Sequence, residues 1–178
     1  MPSSCEPQYA PAGDVGAALM VIDSRLKSIY DDTETGPEQR LLTDQFIASL
    51  GPRGAHELLD GTCTLIYMFM TWLRKACEEH DEDVIQFVVP NLVATMSTMS
   101  RSVPPQAIPT MAGMVIAAGT GLSPSLWRKQ YGEWTEEEMT PLEATAILLA
   151  EQINRIADDR EFATRLITAA LSRADDED

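Results

Sequence analysis

Acids are missing from one long stretch of a sequence that they otherwise dominate. Between Val84 and Gly132 there is no Asp or Glu, and the only formal charges are Arg101, Arg128 and Lys129. The whole chain carries −15, so this segment holds +3 and the remainder holds −18. Bases are scarce everywhere, with 13 Lys and Arg against 28 Asp and Glu in 178 residues. That balance argues against direct binding to nucleic acid or to an anionic membrane, because phosphate contact relies on clustered cations.

Cysteine is also scarce. Cys5, Cys63 and Cys77 make an odd count, and their spacing fits neither a disulfide framework nor a pair of zinc knuckles. Reduced thiols in a cytoplasm are expected. Residues 1–13 lack both the basic and the apolar region of a secretory signal and read as a flexible lead-in.

Long apolar runs are absent as well. One greasy run, Leu65 to Leu73, is far short of the ~20 residues that span a bilayer. The charge-poor segment from Val84 to Trp127 has the length of a membrane hairpin. Gln86, Asn91, Thr95, Ser97, Thr98 and Ser100 pepper its first half, however, and Pro104, Pro105 and Pro109 crowd its second. Hydrocarbon penalises such polar groups unless they find partners. No membrane association is expected.

Catalytic patterns are missing too. Only two histidines occur, and neither G-x-S-x-G nor H-E-x-x-H is present. No catalytic residue and no cofactor is assigned, and the balance leans against an enzyme without deciding the question.

What is present is helical periodicity. Asp14 caps a stripe of Val15, Ala18, Leu19, Ile22, Leu26 and Ile29. Pro37 opens a second stripe through Leu41, Leu42, Gln45, Phe46 and Leu50, closed by Gly51 and Pro52. A short helix from Pro52 to Asp60 follows, and Gly61 either breaks it from the next one or weakens a single long helix. From Leu65 to Cys77 the apolar side chains cover about 200° of a helix, leaving Tyr67, Thr71, Arg74 and Lys75 on the other side. So wide an arc predicts a central core helix. Ile85, Val89, Leu92, Met96, Met99 and Val103 trace a continuous seam along the next.

Two further helices follow. One is Pro-initiated, with small residues Ala112, Gly113, Ala117 and Ala118 where a backbone could approach. The other is short and capped by Ser123. Thr140 with Glu143, and Asp158 with Glu161, have capping-box spacing ahead of the last two stripes. No hairpin signal and no solenoid repeat appear. The expected fold is an all-α single domain of about seven or eight helices over residues 14–172, with 173–178 as an acidic tail.

Three groups of residues are candidate sites. Cys63, Met70 and Cys77 share a helix face, but thiols fourteen residues apart are ~21 Å apart along the axis and cannot share an ion. Cys77 with His80 remains a weak metal pair, and the reading assigns no metal. Ser123, Arg128 and Lys129 follow glycines at a helix start and form a candidate anion site, although the Walker pattern is absent.

Trp127, Tyr131 and Trp134 would share one face if their helix continued through Gly132. With Met96, Met99, Met111 and Met114 they are candidates for an interface or a ligand pocket, because interface cores favour aromatics and Met over charge. The leading expectation is a regulator or adaptor that acts through protein contact, as a homo-oligomer paired through its charge-poor helices. The alternatives are a small-ligand sensor with a Met- and Trp-lined pocket, and an acidic decoy of DNA.

Overall fold

Local stripes and caps account for most of the helices. The computed structural model describes residues 14–31 and 51–176, with Leu41 and Gln45 between them. Among these described residues there are seven α-helices and no strand, an all-α bundle. They are α1 (Val15–Tyr30), α2 (Gly51–Glu79), α3 (Val84–Ser97), α4 (Ile108–Gly119), α5 (Pro124–Lys129), α6 (Met139–Ala157) and α7 (Phe162–Asp176). The lead-in before Asp14 lies outside the described residues. So does the stripe expected after Pro37, apart from Leu41 and Gln45, which are helical and exposed.

The question at Gly61 resolves into one unbroken helix of 29 residues, α2. It packs against all six of the others. Leu65, Ile66, Phe69, Met70 and Leu73 are fully buried along it, each worth roughly 1.5–3 kcal/mol of transfer from water. Trp72 sits at the margin, edge-on to Phe162 of α7 with centroids 5.3 Å apart. Tyr67 corrects the sequence reading. It is 8% exposed, and its hydroxyl donates to the Gly121 carbonyl just beyond α4. A wide-arced helix with neighbours on every side buries even its polar-edged aromatic.

Gly61 itself is buried because α1 begins against it. The Asp14 N–H donates to the Glu57 carbonyl at 3.0 Å. The Asp14 carboxylate, as expected, caps α1 by accepting from the Ala17 N–H at 2.9 Å. Val15, Ala18, Ile22 and Leu26 are buried, while Ile29, at the frayed end of the stripe, is exposed.

The caps of α6 and α7 differ from the expected boxes. The reciprocal box is Thr135 with Glu138, one turn upstream of Thr140 and Glu143. The run Glu136–Glu138 therefore forms the acidic first turn that the helix dipole favours. At the other end, Asp158 is the left-handed stop of α6 at φ 53. The carboxylate that accepts from the Glu161 N–H is Asp159, at 3.0 Å. The first turn of α7 is completed from outside: buried Asn154 of α6 accepts from the Ala163 N–H at 2.7 Å. Helix α7 continues to Asp176, past the expected boundary at 172.

Candidate functional site

Helix α3 carries no formal charge on a strongly acidic chain. Asp83 starts it, accepting from the Ile85 N–H at 2.8 Å, and this cap fixes the register. The buried stripe is Val84, Val88, Leu92 and Met96, one residue off the expected Ile85 and Val89, which flank the core instead. The helix stops at Ser97, so Met99 and Val103 belong to the following turn, where the Val103 N–H donates to the Met99 carbonyl. Thus the expected seam is two pieces rather than one continuous helix face.

Opposite that stripe, Gln86, Phe87, Pro90, Asn91, Ala94, Ser97 and Thr98 are all exposed. At 100° per residue they span about 140° of the helix, with Ala94 near the middle. None carries a charge. Pro90 lacks the N–H that would bond the Gln86 carbonyl, and both residues lie on the open side where water or a partner can satisfy that oxygen. The hydroxyls fold back onto their own helix: Thr95 donates to Asn91 O at 2.9 Å, Ser97 to Val93 O at 2.8 Å and Thr98 to Thr95 O at 2.7 Å. Their donors are already satisfied, so covering this surface costs less desolvation than its composition implies.

The candidate methionines lie mostly inside. Met96, Met111 and Met114 are fully buried in the common core, and Met99 packs against it. Trp127 also packs on the core, with its ring 3.0 Å from where a Cβ on Gly113 would stand. The small-residue surface of α4 therefore receives an indole at Gly113 rather than a backbone. Tyr131 is 67% exposed, 5.2 Å from Trp127 between centroids. Trp134 is not on their helix, because α5 ends at Lys129 and Gly132, at φ +112, turns the chain.

That turn gives Arg128, one of the three expected anion-site residues, partners within the chain. It brings Glu138 to Arg128 at 3.0 Å and aims the same guanidinium at the Glu133 carbonyl, with Trp134 stacked beneath at 4.7 Å. An acid thus already occupies the cation. Ser123 is buried and makes no side-chain cap, while Lys129 is exposed.

Cys63 lies nearby, fully buried. Burial pushes its thiol up to about 12, and Asp60 adds to this, against the opposing pull of Ser125, Trp134 and Arg128. Burial also raises Cys77, helped by Glu82 and Asp83. Both thiols are free. His80 lies exposed beyond the end of α2, and no cluster of three or more metal-ligating side chains occurs among the described residues. Nor is any described helix long and apolar enough to cross a membrane.

The Cys63 thiol is expected to resist thiol reagents in the native state and react on unfolding. An unfolded thiol ionises near its ordinary value of 9.0, below the folded one. Its stability contribution is therefore complete below pH 9 and is lost as pH rises toward about 12, at up to ~1.4 kcal/mol per pH unit. Urea titrations of the native protein against Cys63→Ala across that range check the slope, which should be shallower in the variant.

The sequence missed the Arg128–Glu138 pair because its partners meet only through the Gly132 turn. It missed the role of Asn154 because a buried amide has no periodic signature. Comparison with protein-family models, with curated proteins and with solved structures returned no match.

Proposed function

We propose that this protein is a non-enzymatic regulator or adaptor of the cytoplasm that works by protein contact, and that it self-associates through the uncharged face of α3. The observation that carries this reading is an exposed face without charge on a chain of net charge −15. Two copies that met through most other surfaces would bring acids together. The α3 face avoids that repulsion, and interface centres are depleted of charge in the same way. Phe87, 40% exposed on this face, supplies an aromatic anchor. The buried free thiols support a reducing compartment.

One helix face is smaller than the ~800 Å² per partner of a standard interface. The uncharged, exposed Pro105, Gln106, Pro109 and Ile116, on α4 and its lead-in beside α3, are available to widen it. A dissociation constant in the micromolar range is the corresponding expectation.

Light scattering at tens of micromolar should give twice the 19.6 kDa chain mass. Ala94→Glu places an acid at the centre of the face without removing a core contact, and should return the mass to that of one chain, while its melting temperature matches the wild type's when both are measured well below the dissociation constant. A wild-type protein that stays monomeric at these concentrations would refute the proposal.

A further inference from the structure

We infer that two copies pair with their α3 helices antiparallel, so that Arg101 of each lies against the acidic end of the other. This rests on the self-association proposed above and specifies its geometry. The charge along α3 is polar from end to end. Before its first residue stand Glu78, Glu79, Asp81, Glu82 and Asp83, all exposed. Arg74, which pairs with Glu78 at 3.2 Å, and Lys75 offset only part of them. Beyond its last residue stands Arg101, exposed, and the sole formal charge between Asp83 and Arg128. Fourteen residues of helix separate the two ends by ~21 Å. That exceeds the ~8 Å screening length at physiological salt, so each end answers to whatever charge is set directly across from it.

A two-fold axis can relate the helices in either sense. In the parallel sense acids face acids and arginine faces arginine, two repulsive contacts. In the antiparallel sense the two-fold axis makes one arginine–acid contact occur twice, and both copies are attractive. Side-chain size points the same way. About an axis between Pro90 and Asn91, Phe87 of one copy falls opposite Ala94 of the other, large on small. In the parallel sense Phe87 would crowd Phe87 and leave the paired Ala94 residues facing a gap. Interdigitation of large and small side chains is how well-packed helix contacts fill space.

Dissociation constants from sedimentation equilibrium test this with Arg101→Glu, Glu82→Arg and the double variant. Arg101→Glu should weaken the dimer by about tenfold, roughly the effect of reversing one close charge contact on each side. The informative sign belongs to Glu82→Arg. It lowers the net negative charge, and if only overall repulsion mattered it would tighten the dimer. Antiparallel pairing sets the new arginine against Arg101 and predicts weakening instead. The double variant should recover part of the loss and bind more tightly than either single variant, because the two new charges are opposite while Glu78, Glu79, Asp81 and Asp83 stay in place. If the wild type dimerises but Glu82→Arg tightens it, or if the double variant is no better than the singles, the antiparallel pairing is wrong while self-association stands. A monomeric wild type overturns both.

Discussion

Gly61→Ala is expected to lower the stability of this protein by about 3 kcal/mol, the top of the range that overpacking usually spans. In most helix interiors the same change helps, by up to about 1 kcal/mol. Here a Cβ would stand 2.3 Å from the Asp14 carbonyl oxygen, 2.6 Å from its carbon and 3.0 Å from the Val15 nitrogen. All three are backbone atoms, so no rotamer change relieves the clash. The Asp14 N–H is tied to Glu57 and its carboxylate to Ala17, so the obstruction is held from both sides. Relief requires the start of α1 to lift from α2, which opens the contacts of Val15 and Ala18.

Gly16→Ala is the matched control. Among the described residues its Cβ would meet only Asp14 Oδ1, at an ordinary 3.7 Å, so a gain of up to about 1 kcal/mol is expected. Opposite shifts in the urea midpoint for two Gly→Ala changes at one junction would confirm the account, whereas shifts of the same sign would contradict it.

Asn154→Ala should cost about 2–4 kcal/mol. The side chain is 2% exposed and uses both of its ends. Its carbonyl accepts from the Ala163 N–H, and its amide donates to the Arg160 carbonyl at 2.8 Å and to the Tyr30 hydroxyl at 3.1 Å. Alanine would leave the Ala163 N–H buried without its acceptor and the Arg160 carbonyl without this donor. A lost partner for one buried polar group costs about 1–3 kcal/mol. Because the amide joins the ends of α1 and α6 to the first turn of α7, loss of α7 helicity should accompany the loss of stability. Thermal unfolding and amide exchange of residues 162–166 measure the two together. An unshifted melting temperature would show that water replaces the amide.

Much of this was legible in the sequence, and what was not has a common physical cause. The stripes of α1 and α6 and the core role of Leu65, Phe69 and Leu73 follow from spacing within one helix, where the informative residues are close neighbours. The Asp14 cap is equally local. Gly61 looked ambiguous because what decides it is the backbone of Asp14, well upstream. Tyr67 looked like a polar-side residue because its hydroxyl partner, Gly121, lies on another loop. The register of α3 slipped by one because Ile85 and Val84 are equally apolar, and only the Asp83 cap chooses between them. The uncharged character of α3 was visible as composition, but which side of it faces outward was not.

The central position of α2 has a consequence for how the molecule can move. A helix that touches all six others leaves no seam along which the bundle can divide without cutting contacts to its own middle. Among the described helices, opening motions that preserve α2 are expected at the rim of the bundle. Unfolding that reaches α2 removes the common wall of every packing contact at once, which makes the transition cooperative.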